Sequence, residues 1–200
     1  DSGNASLGVE LWAHDTSNGT TWRVGHTNTT GTLPSTNYLT SYGHDLGVIG
    51  DTFYFQAWGS GGEGMWAYNT SNTTMWEVDF SSAVRSVNPG KCMAVVVGDS
   101  LYFDADGSTH GRELWAHNHA NQTTWMVKDL ETSTFYQGRD SSPGCMGMAG
   151  ILFGDTFYFT ATIRNTNGNH ELWAHNTSNH STWLVADILS SSTSGSLPGH

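Results

Sequence analysis

The stretch "ELWAHNTSNHSTWLV" (residues 171–185) places two tryptophans ten residues apart around a polar centre. The same layout recurs as "ELWAHDTSNGTTWRV" from Glu10, "GMWAYNTSNTTMWEV" from Gly64 and "ELWAHNHANQTTWMV" from Glu113. The pairs Trp12/Trp22, Trp66/Trp76, Trp115/Trp125 and Trp173/Trp183 keep one separation, so each copy reads as one supersecondary unit of a tandem array. Two aromatic arms joined by a turn-forming centre read as a β-hairpin. With Trp12 opposite Trp22, His14 faces Thr20 and the tip falls at Thr16 to Asn18. Period-2 alternation then puts both indoles on one face as a cross-strand pair.

Upstream of the last three copies lies a second shared block: "LGVIGDTFYFQA" (46–57), "MAVVVGDSLYFDA" (93–105) and "GILFGDTFYFTA" (150–161). Each is an apolar run, a Gly-Asp turn at Gly50-Asp51, Gly98-Asp99 or Gly154-Asp155, and an aromatic run, which is a hairpin signature. The first run of each block is apolar almost throughout and predicts a strand buried on both faces. Two hairpins per repeat, recurring every 49 to 58 residues with no helical periodicity, predict an all-β chain of four-stranded antiparallel β-propeller blades. The alternatives are an open β-solenoid, whose coils are usually shorter, and a Greek-key sandwich.

The phase of the repeat sets the expected organisation. Residues 1–26 supply the outer two strands of a half blade, three full blades follow at 44–80, 92–131 and 147–189, and 190–200 is the lead-in to a further blade. Fourteen strands make three and a half blades, with the missing inner pair expected after His200. Such a chain is a segment of a longer array, or a protomer completed by a neighbour.

Composition narrows the partners. Seven Lys and Arg against eighteen Asp and Glu leave a net charge of −11, and counterion release on nucleic acid needs the clustered cations this chain lacks. The same charge disfavours an anionic membrane surface, and no apolar run is long enough to span a bilayer. Nine Trp, seven Tyr and eight Phe supply the burial that a 36% apolar fraction otherwise limits. The two cysteines, Cys92 in "PGKCM" and Cys145 in "PGCMGM", hold matching places in adjacent repeats. They read as two buried thiols or, favoured by the sequon-rich setting, as a disulfide.

The segment "ADGSTHGRELWAHN" (105–118) followed by "TTW" resembles the ELW-x-x-DGT tandem repeats of microbial cell-surface and secreted proteins. Four copies carry the resemblance over most of the chain. It departs where Asp-Gly-Thr becomes Asp-Thr-Ser at 15–17 and Asn-Thr-Ser at 69–71 and 176–178. It implies an extracellular propeller-like repeat protein of poorly defined activity, and does not imply an enzyme. A weaker likeness, carried by "DTSNGTTW" (15–22), is to the Asp-box hairpin of sialidase-type propellers, with Ser17 where the Asp belongs. The arginine cluster of sialidases would need several of only five arginines, scattered at 23, 85, 112, 139 and 164.

Eight acceptor sequons begin at Asn4, Asn18, Asn28, Asn69, Asn72, Asn121, Asn176 and Asn179, and every Trp-pair hairpin has at least one in its tip. Asn-Thr-Ser is also good turn chemistry in its own right. Covalent N-glycans at the tips would form a hydrophilic band that shields the outer strand edges. The histidines His14, His117 and His175 recur in the repeat, with Tyr68 in the remaining copy, and their dispersal over separate blades assigns them to packing or threonine hydrogen bonding rather than a metal. One segment, "DADGSTHGRE" (104–113), admits calcium through Asp104, Asp106, Ser108 and Glu113, against a plain acidic turn. Glu10, Glu113 and Glu171 recur where Gly64 breaks the series, and repetition marks a structural role, since catalysis needs one asymmetric site.

The expected function is therefore a non-enzymatic, N-glycosylated structural or adhesion repeat protein in a fibre or surface assembly, partnered by copies of itself or adjoining repeats. The alternative is a carbohydrate-binding propeller, with Trp58 and Tyr136 stacking on sugars; a glycoside hydrolase with paired carboxylates ranks third.

Overall fold

In the computed structural model, residues 11–24, 45–59, 62–80, 88–107, 109–131, 140–145, 147–162 and 170–187 are described. They form fourteen strands, and none of them is helical. The chain divides into two compact units, Asp1–Val78 and Asp79–His200.

The first unit holds a two-stranded sheet, β1 (Trp12–Asp15) and β2 (Thr20–Arg23), and a four-stranded sheet, β3 (Asp45–Ile49), β4 (Thr52–Gly59), β5 (Gly62–Asn69) and β6 (Thr74–Glu77). In the second unit one sheet comprises β7 (Ala94–Val97), β8 (Ser100–Gly107), β9 (Gly111–Asn118) and β10 (Thr123–Lys128). The other comprises β11 (Ile151–Phe153), β12 (Thr156–Thr162), β13 (His170–Asn176) and β14 (Ser181–Ala186). Every strand pairs antiparallel with its neighbour in sequence, so each four-stranded sheet is a simple meander. That is the topology of a β-propeller blade, and the fold is all-β.

The inner hairpins close as their dipeptides dictate. Ile49 pairs Thr52, Val97 pairs Ser100 and Phe153 pairs Thr156, leaving Gly-Asp as a two-residue turn. Gly50, Gly98 and Gly154 sit at φ of 57°, 57° and 59°, a left-handed conformation that only glycine takes without a steric cost.

Two expectations from sequence are corrected. The apolar first strands are not buried on both faces: β3 alternates buried with exposed or half-buried residues, β7 is half-buried throughout, and β3, β7 and β11 are all edge strands of their sheets. All three residues of β11 are exposed, Phe153 at 79%. The second correction concerns the tryptophan pairs. Trp12 pairs Arg23 and Ala13 pairs Trp22, and the same one-residue offset recurs as Ala67 with Trp76, Ala116 with Trp125 and Ala174 with Trp183. Because side chains alternate, the two indoles of each pair lie on opposite faces of their hairpin. The tip is four residues long rather than three, so His14 pairs Thr21 and Asp15 pairs Thr20.

Packing explains which indole goes inside. In the second unit Tyr102, Leu114 and Ala116 on one face of the β7–β10 sheet meet Phe157, Phe159, Ala161 and Trp173 of the β11–β14 sheet, with Met93 and Leu130 closing the cluster. Phe157 and Phe159 are fully buried, and each such side chain contributes about 2–3 kcal/mol. Tyr102 lies 5.0 Å from Phe157 and 5.1 Å from His175 between ring centroids. On the opposite face of the β7–β10 sheet, Phe80 meets Phe103 and Trp115 edge-on at 6.0 and 6.1 Å. In the first unit Ala57 and Trp66 are packed by Phe55 and Met75.

Candidate functional site

The outer hairpin tips each carry a set of side-chain hydrogen bonds, and all four are built alike. The last residue of the first strand is Asp15, Asn69, Asn118 or Asn176, and its side-chain oxygen accepts backbone N–H groups of the tip. Asp15 takes that of Ser17; Asn69 takes Ser71 and Asn72; Asn118 takes Asn121; Asn176 takes Ser178 and Asn179. The fourth tip residue, Gly19, Thr73, Gln122 or His180, lies at φ between 58° and 72°. This left-handed residue turns the chain back into the second strand and makes the tip one residue longer than alternation alone implies.

Each tip of the four-stranded sheets is also tied to the neighbouring Gly-Asp turn. Thr70, His119 and Thr177 donate backbone N–H bonds of 2.8 Å to the carbonyls of Asp51, Asp99 and Asp155. Ser178 donates its hydroxyl to the Asp155 carboxylate at 2.7 Å, and Ser71 does the same to Asp51. The amide nitrogens of Asn69, Asn118 and Asn176 donate across to the hydroxyls of Thr52, Ser100 and Thr156 at 3.0, 3.2 and 3.0 Å. The aspartates of the Gly-Asp turns thus have a tertiary task that their turn role in sequence did not reveal.

Asn18, Asn72, Asn121 and Asn179 stand at the exposed third position of the tips. In each, Oδ1 accepts both the backbone N–H and the hydroxyl of Thr20, Thr74, Thr123 or Ser181, the hydroxyl bond being 2.6 Å in all four. Asn4, Glu10 and Asn28 lie outside the described residues, as do Ser108, Tyr136 and the segment 190–200. Trp58 lies within β4.

The recurrent histidines meet threonine. The Nδ1 atoms of His14, His117 and His175 lie 2.7, 2.9 and 2.7 Å from the hydroxyls of Thr21, Thr124 and Thr182. In the remaining copy both partners change together: Tyr68 pairs Met75, an apolar pair in place of a polar one. That covariation was visible in the sequence once the register was known. Burial pushes His117 and His175 down to about 4, so both rings are neutral.

The calcium candidate is corrected by geometry. Asp104 and Asp106 both face Arg112, whose guanidinium reaches them at 2.5 and 3.1 Å. The other Asp104 oxygen accepts the N–H groups of Cys92 and Met93 at 2.8 Å each, so its carboxylate is consumed within the sheet. Glu113 pairs Ala105 and projects from the opposite face. There it accepts Leu130 N–H at 2.8 Å, Ser141 N–H at 3.2 Å and the Ser141 hydroxyl at 2.7 Å. Burial raises it to about 8 against the pull of those donors. The acidic residues of this segment therefore do not converge on one point, because alternation along β8 and β9 divides them.

Cys92 and Cys145 are joined in a disulfide, with Cα atoms 4.5 Å apart and a sequence separation of 53. Asp104 lies beside the sulfurs, but a bonded pair offers no thiolate to a metal. The bridge ties the segment entering β7 to the one entering β11.

No protein-family model matches the chain, and no curated protein matches it either. Among solved structures it is similar to TolB from Acinetobacter baumannii, at 12% identity over 88% of this chain and 37% of that one, with a TM-score of 0.46. It is also similar to the tricorn protease, at 7% identity over 93% of this chain and 19% of that one, with a TM-score of 0.39. The chain thus spans well under half the length of either protein. The blade assignment rests on strand topology and not on these likenesses.

Proposed function

We propose that this chain is a non-enzymatic module of an extracellular, N-glycosylated structural or adhesion assembly. The observation that carries the reading is the repetition of one tip architecture four times, each presenting an exposed sequon asparagine at the same place. The disulfide supports an oxidising compartment, and among the described residues no helix is long and apolar enough to cross a membrane. The net charge of −11 and the resemblance of residues 105–118 to secreted ELW-x-x-DGT repeats point the same way.

Assembly draws its support from β11. Ile151, Leu152 and Phe153 are exposed on an edge strand, and an exposed apolar edge invites pairing with another chain. The partners are copies of this chain or adjoining repeats. The recurrent glutamates serve structure: Glu113 organises the segments around Leu130 and Ser141, and Glu171 is fully buried in β13.

The test is secretion from a eukaryotic host, followed by sedimentation and electron microscopy of the undisaggregated product. Glycosylated oligomers, filaments or sheets are the expected outcome. A glycan-free monomer that binds sugars saturably on a glycan array would replace this reading with the carbohydrate-binding one.

A further inference from the structure

The tip sequons are of two geometric kinds, and we infer that only the second kind carries a glycan, at Asn72, Asn121 and Asn179. The first sugars there lie against the indole four residues further along the strand: Trp76, Trp125 and Trp183. The inference rests on the reading of the chain as a secreted N-glycoprotein, and names which asparagines of the tips serve it.

The first kind is Asn69-Thr70-Ser71 and Asn176-Thr177-Ser178. Both asparagines are half-buried, and their Nδ2 atoms, where the sugar would attach, donate to Thr52 and Thr156. The third-position hydroxyls, Ser71 and Ser178, are spent on Asp51 and Asp155 rather than on the asparagine of their own sequon. Thr70 and Thr177 also donate their hydroxyls to the carbonyls of Asp51 and Asp155. Every side chain of these sequons is a stitch between two turns. A glycan added there before folding would set a sugar where the cross-strand hydroxyl belongs and hold the blade open.

The second kind is Asn72-Thr73-Thr74, Asn121-Gln122-Thr123 and Asn179-His180-Ser181. Here Oδ1 is held by the hydroxyl of the same sequon at 2.6 Å, which leaves Nδ2 at the other end of the carboxamide, away from that bond. Among the described residues those three nitrogens meet no acceptor, and all three asparagines are exposed. Asn18 shares the carbonyl geometry, but its Nδ2 donates to the Asp15 carboxylate at 2.8 Å, so it is not assigned. In the transfer, Nδ2 displaces the diphosphate of a lipid-linked oligosaccharide at its anomeric carbon. A C–N bond replaces the C–O bond, and one amide proton leaves with the diphosphate.

The indoles follow from strand alternation. Thr123 and Trp125 share a face of β10, while Thr124 between them points inward and is buried. The Asn121 carboxamide is bonded to Thr123, so a sugar on it starts on the face that carries Trp125. Ser181 with Trp183, and Thr74 with Trp76, repeat the arrangement on β14 and β6. Trp125 and Trp183 are 37% and 40% exposed, a large apolar surface on an outer strand that the apolar face of a pyranose can cover.

The full chain, secreted from a eukaryotic host, would be mapped by site-resolved glycopeptide mass spectrometry. High occupancy at Asn72, Asn121 and Asn179 with Asn69 and Asn176 bare is the expected result. Occupancy at Asn69 and Asn176 equal to that of their neighbours overturns the inference and leaves the glycoprotein reading standing. A secreted chain bare at every sequon overturns both. Two variants that keep the oxygen acceptor sharpen the test: Asn176→Asp leaves the glycan mass unchanged, whereas Asn179→Asp removes one glycan. Enzymatic deglycosylation of the folded protein is expected to raise iodide quenching of tryptophan fluorescence. Unchanged quenching would overturn the stacking on Trp76, Trp125 and Trp183.

Discussion

His117 and His175 sit where a charge is costly: both are buried, and each meets a threonine hydroxyl through Nδ1. Their folded values of about 4 lie below the ordinary 6.5, so the unfolded chain takes up protons first as pH falls. Their contribution is therefore complete above about pH 6.5 and lost between there and about 4, on the order of 3 kcal/mol each at most. Glu113 acts in the opposite sense. With a folded value raised to about 8 from 4.5, the stability it provides falls as pH climbs through that range. Of these three groups, the two histidines outweigh the glutamate below pH 6.5 and only the glutamate changes above it, so their joint contribution to the second unit is expected to peak near pH 6.5. Urea unfolding as a function of pH checks this, and a His117→Gln, His175→Gln double variant should flatten the acid limb. An acid limb unchanged in that variant would show that other groups govern it. The sequence showed these histidines as repeat-equivalent but not their burial, which depends on the sheets that cover them.

At the scale of elements, the two tryptophans of a hairpin look equivalent in sequence and are not. Trp173 is 9% exposed against Phe159 and Ala161, while Trp183 is 40% exposed on the other face. Truncating Trp173 to Ala is expected to cost about 3–5 kcal/mol, and truncating Trp183 about 1 kcal/mol or less. Denaturant midpoints of the two variants compare them directly, and equal losses would contradict the observed register. Short turns were legible because Gly-Asp permits few conformations. The long tip was not, because its run of Asx and hydroxyl residues holds two Asx side chains that can each close a turn. Only the left-handed fourth residue decides between them, and a one-residue slip exchanges the faces.

For the whole chain, the disulfide is the one covalent constraint on the second unit, and the first unit holds neither cysteine. Closing a loop of this length in the unfolded chain is worth about 4 kcal/mol. Reduction, or a Cys92→Ser, Cys145→Ser double variant, should lower the melting transition of residues 79–200 and leave that of residues 1–78 in place. Scanning calorimetry with and without reductant measures it; a loss confined to the first unit would contradict the division. By itself the sequence determined the all-β class and, among the described residues, which segments pair as hairpins, because alternation, turn dipeptides and repetition are local properties of a chain. Tertiary structure alone decided which indole is core and which is surface, which carboxylates Arg112 neutralises, and which sequon asparagines are stitched into the sheet. Each of those outcomes depends on a partner distant in sequence or on a register offset of one residue, and composition carries no record of either.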